Sequence, residues 1–493
     1  MTTGLRETTA PPDLGGRLPA ALPAVVVAGI AGAVVLAVRV LPSDMGSALI
    51  VGTVAVAFGM CALVSPAFAV TLMTVTLFLR MPLASAAELP VELWLVVFAT
   101  LVVATGLWLD RTAVRVRGVG AVEVTMALFV LWNVYSMVSP HQYPAMDPTN
   151  GGPLPVARFI VVATVIPFAL YLVGRYTFDR QGAVRLLLWT VLVLAAYSAA
   201  VSVMPRIGLD RWVWPRYIVT DPGWEDRAVG IFNQPVVNGM VLILGFAIAM
   251  FMCGEKVEPA WRRWSAGLIA ALCGIGIYLT YTRAVWLSAL VVLVLGAALA
   301  RGFRASFVAV LGLVVATVLV NWSAFTSSDR RTGGVASESE IQSRLNDIET
   351  AMWARGQKPL EGWGIGRFPA VNTHHHQQWS QEVPWIGGYG EVAHSNDMAV
   401  LAELGGIGLA LWLCVLWLIA LHLRRAYRRL EEPDLCGRSL VVLAIMAMAV
   451  LLCTGLTVDL RYFDFPTATT FLIVGVAIGC SERVTNRGTG QHE

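Results

Sequence analysis

The sequence predicts an all-α fold, a polytopic membrane helix bundle of about 12 to 14 transmembrane helices with one large extracytoplasmic loop that contains an amphipathic helix. Three observations predict it. Hydrophobic residues make up 57% of the 493 and charged residues only 14%, where a soluble domain carries about 25% charged; mean hydropathy is +0.69. Apolar runs recur, each long enough to cross a hydrocarbon core about 30 Å thick. One long polar stretch, Ser323 to Ser395, interrupts these runs late in the chain and holds His374, His375, His376 and His394.

Residues 1–19 are rich in Thr, Pro and Gly and read as a disordered cytoplasmic tail. They lack a short apolar region followed by a cleavage site, so a signal peptide is not expected. The bundle occupies 20–322, opening with a span from Pro23 to Leu41 and continuing at 47–64, 67–81, 91–109, 119–138, 155–173, 184–203, 235–252, 265–281, 284–300 and 304–322. The loop fills 323–395, C-terminal helices fill 396–481 with spans at 396–422, 438–457 and 466–480, and a cytoplasmic tail ends the chain at 482–493.

Arginine and lysine in the short loops set the orientation. Alternate loops carry them: Arg111, Arg115 and Arg117; Arg175, Arg180 and Arg185; Lys256, Arg262 and Arg263; Arg301 and Arg304; then Arg424 to Arg429 and Arg483. With an even number of spans these share one side with both termini, which places the protein in the cytoplasmic (inner) membrane, multi-pass, with both termini cytoplasmic. The opposite loops, at 42–46, 139–153, 204–227 and 458–465, then face outward with the long stretch. A net charge of +3 without a clustered basic face points to no nucleic acid partner. The seven cysteines lie in or beside apolar runs with no CxxC spacing, so neither disulfides nor a cysteine-bound metal is expected.

Within the loop, Ile341, Leu345, Ile348 and Met352 recur at helical spacing. Ser337 followed by Glu340 is a capping-box signal, and the helix should end near Gly356, ahead of Pro359. Its apolar face is expected to lie over the mouth of the bundle. The remainder, WGIGRFPAVNTHHHQQWSQEVPWIGGYG, reads as ordered loop. Trp353, Trp363, Trp379 and Trp385 suit either the lipid headgroup level or stacking on sugar rings.

Three residues stand out chemically. Arg283 sits at the outer turn of a tight hairpin, LTYTRAVWLS, where a charge so near the hydrocarbon marks function or a snorkelling anchor. Arg344 borders the apolar face of the loop helix and can alternatively pair with Asp347 or Glu340. His394 precedes Ser395, a suitable N-cap for the next span, and a helix N-terminus both disfavours imidazolium and attracts anions. The run His374 to His376 is a conceivable metal site, but adjacent loop residues seldom converge on one ion, and no metal is expected.

Four segments resemble the O-antigen ligase and O-antigen polymerase superfamily: RAVGIFNQPVVNGMVL (227–242), LTYTRAVWLSALVVL (279–293), SRLNDIETAMWARGQKPLEGWGIGRF (343–368) and AHSNDMAVLAELGGIGLALWL (393–413). The resemblance covers roughly residues 227–480. It implies transfer of a glycan from an undecaprenyl-diphosphate carrier to a cell-envelope acceptor hydroxyl on the outer face, without metal, cofactor or nucleotide sugar. It further implies that Arg283 and Arg344 hold the diphosphate and that His394 is catalytic, activating the acceptor hydroxyl. Arg227, Asn396, Asp459 and Arg461 are secondary candidates. The family pattern has asparagine directly after the histidine, where this chain has Ser395 and then Asn396. The implied partners are the lipid bilayer, an undecaprenyl-diphosphate-linked glycan donor and a glycan, lipid or protein acceptor. Two other functions compete: repeat-unit polysaccharide polymerase of the same superfamily, and transporter, since relatives have been labelled bicarbonate carriers. A transporter calls for ionisable groups near mid-membrane, whereas the polar groups here gather at the outer mouth.

Overall fold

The structure is a computed structural model that describes residues 43–87, 93–111, 119–148, 151–178, 180–220, 227–327, 338–380, 390–430 and 434–489. The expected tail and first span, Ser337 of the capping box and Trp385 lie outside the described residues. Among the described residues the regular structure is helical, apart from one isolated bridge between Met146 and Pro153.

The helices are α1 (Ser43–Val64), α2 (Pro66–Phe78), α3 (Arg80–Ala87), α4 (Leu93–Arg111), α5 (Ala121–Val138), α6 (Val156–Thr177), α7 (Gln181–Val203) and α8 (Pro235–Gly254). They continue with α9 (Ala260–Leu279), α10 (Arg283–Leu299), α11 (Arg304–Val320), α12 (Glu338–Gln357), α13 (Phe368–His375), α14 (Asn396–Arg429), α15 (Arg438–Gly455) and α16 (Asp464–Thr489). Seven are long and apolar enough to cross a membrane, and five shorter apolar helices accompany them. Each span expected after residue 43 has a helix in its place, with two departures in detail. The 67–81 span stops at Leu79, because Arg80 turns to pair with Asp464 and lies 5.2 Å over the Trp94 ring. The span expected at 396–422 runs on to Arg429 and is broken at Gly405.

Burial follows residue size and polarity. α8 is apolar all round, the pattern of a helix enclosed by others, and it and α16 lie at the centre. α16 presses against α6 through Gly475 and Gly479, where an added methyl would stand 2.1 Å from the carbonyl oxygens of Tyr171 and Arg175. Small residues spaced by four let helix backbones approach this closely in a membrane.

The two sets of loops separate to opposite ends of the bundle. At one end Arg175 pairs with Glu123 and, at 2.7 Å, with Glu482, while Arg185 reaches Glu258 at 2.8 Å. The Tyr427 hydroxyl closes the same end by donating to the Leu299 carbonyl at 3.2 Å. At the other end lie the polar segments of the long stretch, locked to the start of α14. The amides of Trp363 and Gly364 donate to the carbonyls of Ala402 and Glu403 at 2.9 and 2.8 Å, and the amide of Gly406 returns a bond to Pro359 at 2.8 Å. The Glu403 carboxylate, 1% exposed, accepts the amides of Gly366 and Phe368 at 2.9 Å each and the Arg461 guanidinium at 2.7 Å. Arg461 grips Asp459 at 2.9 and 2.7 Å. Burying these charges is tolerable only because each is paired and hydrogen-bonded.

The break in α14 makes the lock possible. Gly405 has φ 68° and ψ −169°, a region open essentially to glycine alone. It halts the helix so that the Leu404 carbonyl accepts the indole N–H of Trp132 at 2.9 Å. A Cβ at Gly405 would stand 2.1 Å from the Leu360 carbonyl oxygen, and one at Gly362 would stand 2.5 Å from the Glu403 backbone. The motif P..GWGIG.F and the motif AELGGIG are therefore two halves of one joint.

Two outcomes follow from this architecture. Gly405→Ala should destabilise the protein by at least about 1–3 kcal/mol, the cost of a strained backbone position, and thermal unfolding in detergent will register it as a lower Tm; an unchanged Tm would mean the joint relaxes freely. Reporters fused after Ser327 and after Tyr427 should report opposite sides of the membrane, since these positions fall at opposite ends of the bundle; the same side for both would overturn the span count.

Candidate active site

α9 and α10 are joined by only Thr280, Tyr281 and Thr282, with Tyr281 in the left-handed region at φ 44°. Arg283 is thus the first residue of α10, where its guanidinium and the positive end of the helix dipole act in the same direction. The segment holding Arg227 is tied to this hairpin by the Ala228 amide, which donates to the Leu279 carbonyl at 2.9 Å. The fully buried Asn238 secures it from below. Its amide donates to the Ala228 carbonyl at 2.8 Å and to Ser202 Oγ at 3.0 Å, and its oxygen accepts the Ser198 hydroxyl at 2.7 Å. The segment RAVGIFNQPVVNG thereby sets Arg227 beside Arg283.

The loop helix α12 runs from Glu338 to Gln357, within a residue of the expected end, but it is seated on a different face from the one expected. Ile348 and Met352 are exposed, at 37% and 42%, while Asn346, Asp347, Thr350, Ala351 and Ala354 are buried. The reason is its neighbours. Asn346 Oδ1 accepts the Trp379 amide at 2.7 Å and Thr350 Oγ1 accepts the Gln377 amide at 3.0 Å, so polar and small residues form the seat. Arg344 and Asp347, three residues apart, share the side turned toward His394. The turn ahead of α14 brings His394 to them, and its backbone N–H donates to the Asp347 carboxylate. Ser395 is the N-cap of α14 as expected, although its side chain makes no capping bond.

Charge then defines the site. Burial, and after it the Arg283 guanidinium, holds both Arg227 and Arg344 below the ordinary arginine range. Burial first and Arg344 second lower the His394 imidazole from 6.5, so the ring is neutral at pH 7. The structure therefore brings Arg227, Arg283, Arg344 and His394 into one electrostatic neighbourhood at one end of the bundle.

Asn396, Asp459 and Arg461 stand behind it. Arg461 lies against Phe159, 5.5 Å from the ring centre. Burial alone would lower its pKa, but Asp459 and Glu403 outweigh burial and raise it. With Asn396, Phe129, Val400 and Trp412 it lines a small apolar cavity in the bundle. The histidine run is taken up by ring packing: His374 stacks on Tyr143 at 4.7 Å, His375 stacks on Trp353 at 4.6 Å and shares a 2.7 Å hydrogen bond with the Tyr143 hydroxyl, and His376 bonds Asn372 at 3.1 Å. Among the described residues no three His, Cys, Asp or Glu side chains converge as a metal ion would require. Glu403 is the functional support that sequence reasoning missed, since nothing local distinguishes it from a polar helix residue.

These features define a multi-pass helical membrane protein whose guanidinium cluster and neutral imidazole face one polar mouth. Residues 268–413 match the family model described as O-Antigen ligase, a stretch that contains Arg283, Arg344, Glu403 and His394. The match bears out the resemblance read from the motifs and supports a ligase- or polymerase-like function of that superfamily. A comparison with curated proteins found no match.

Proposed function

We propose that this chain transfers a glycan from an undecaprenyl-diphosphate carrier to an acceptor hydroxyl, on the outer face of the cytoplasmic membrane, with the 323–395 stretch as the extracytoplasmic loop. The observation that carries the reading is the company His394 keeps: a neutral imidazole placed beside the Arg227, Arg283 and Arg344 cluster. Guanidinium groups match phosphate oxygens with paired donors, and their mutual repulsion is relieved by a polyanion lying between them. As the acceptor oxygen bonds to the anomeric carbon, the bond from that carbon to the diphosphate oxygen breaks and the carrier diphosphate leaves. The acceptor proton passes to His394, and the arginines stabilise the charge that develops on the leaving group. The carrier's tail remains among the spans, which accounts for a catalyst built mostly of membrane helices. The match to the O-Antigen ligase family over 268–413, which contains Arg283, Arg344 and His394, supports the reaction class.

Lysine substitution separates charge from fork geometry. A hydrogen bond to a charged group contributes about 1.5–3 kcal/mol, so Arg283→Lys and Arg344→Lys should each lower transfer at least about tenfold. Normal transfer by both would make these arginines anchors. His394→Ala should slow transfer by about 10²- to 10⁴-fold while carrier binding persists, followed with purified protein, lipid-linked donor and acceptor. His394→Gln keeps a hydrogen bond but takes no proton, and near-normal turnover in it would remove the base assignment.

A further inference from the structure

Asp347 is a carboxyl that the proposed reaction does not use. It is 4% exposed and lies one turn beyond Arg344 on α12. One oxygen side is engaged by the His394 backbone N–H, while Oδ2 is buried with no hydrogen-bond partner among the described residues. A buried carboxylate oxygen left open is costly. Its place between the arginine of one loop element and the histidine of the next is thus in need of an account.

We propose that Asp347 is a positioning residue of the site: it fixes His394 through the main chain, and it takes up a proton when a diphosphate enters beside Arg344, so that donor affinity depends on pH. The inference rests on the reading of the site given above. The groups facing Asp347 are Arg344 on its own helix and, on the turn leading into α14, Glu391 and His394. Burial first and Glu391 second push the carboxyl up to about 7, against the pull of the His394 amide and Arg344. Near neutral pH it therefore exists in both forms. Protonated, its hydroxyl supplies a donor at the open Oδ2; ionised, it competes for Arg344. A diphosphate esterified at both ends stays fully ionised through this range, so it contributes no titration of its own. Its charge disfavours the carboxylate and raises the Asp347 pKa further.

The sign follows from linkage. A group whose pKa is higher in the donor complex than in the free protein takes up a proton on binding. Donor affinity is then complete below about 7 and falls as pH rises above it, by at most about tenfold per pH unit. Burial and then Arg344 hold the His394 imidazole below the ordinary histidine range, so its titration falls on the acid side, where it affects turnover because the base must be neutral.

The test uses the full chain in nanodiscs, with a fluorescent polyprenyl-diphosphate-linked sugar as probe, across about pH 6 to 8.5. Native protein should bind more weakly with each step above neutrality. Asp347→Asn keeps an oxygen for the His394 amide and removes the titration, so its binding should be flat with pH. Asp347→Ala should lose turnover at every pH, in kcat rather than KM, because His394 loses its anchor. A pH slope that survives in the Asn variant, or a flat native profile, overturns the inference and leaves the transferase reading standing. Native protein that binds the probe with the expected slope but transfers its sugar to no acceptor overturns the transferase reading alone.

Discussion

The structure depends on the buried pairing of Glu403 with Arg461. Each charge would be costly alone in the interior, and each is fully engaged: the carboxylate by two amides and a guanidinium, the guanidinium by Glu403 and by both oxygens of Asp459. Three stretches far apart in sequence are thereby held in one register: the glycine-rich loop after α12, the first turns of α14, and the loop between α15 and α16. Arg344 reaches the site from one side of that joint and His394 from the other. Their separation is set by that joint together with the His394 backbone N–H, which donates to Asp347 on the helix that carries Arg344.

The bundle has two kinds of arginine, and the difference separates scaffold from site. Arg175, Arg185 and Arg461 lie against carboxylates that neutralise them within the protein. Arg227 and Arg344 instead feel Arg283, a like charge, as the largest influence after burial. Clustered like charge at one polar mouth is an arrangement that stability alone does not favour, and Asp347, the carboxyl that acts on Arg344, has a smaller effect there than Arg283. The same contrast holds for the carboxyls, because Glu403 is saturated with donors whereas Asp347 keeps an open oxygen.

Much of the architecture was legible in the sequence because a membrane imposes a strong and simple requirement. A run of some twenty apolar residues has few alternatives to a helix, and the alternation of arginine-rich loops matches the way the loops sort to two ends. Arg283 and His394 stand out in the sequence beside the ends of spans and Arg344 on the edge of the loop helix, and the structure sets Arg344 near both of the others. What escaped was set by tertiary partners. Asn346 and Thr350 turn the polar side of α12 inward only because the 377–379 backbone offers them amides, and a periodicity of Ile, Leu and Met cannot register that. Gly405 sits in a run that reads as continuous helix, and its break is required by the Leu360 carbonyl, distant in sequence. The sequence likewise could not show that two rings of the histidine run meet aromatic neighbours from other segments, Tyr143 and Trp353.

The polar seat of α12 has a mechanical consequence. A helix that docks through large apolar side chains gives up about 0.8 kcal/mol for each methylene returned to water, which makes undocking steep. The buried seat of α12 consists instead of Asn346, Asp347, Thr350 and two alanines, whose hydrogen bonds water replaces at a net loss of only about 1 kcal/mol each, while Trp353, stacked on Trp363, adds an aromatic hold. Arg227 and Arg283 belong to the bundle, while Arg344 is carried on α12, whose hold on its neighbours is largely polar. The arginine cluster is therefore held on two footings, the apolar packing of α10 under Arg283 and hydrogen bonds under Arg344.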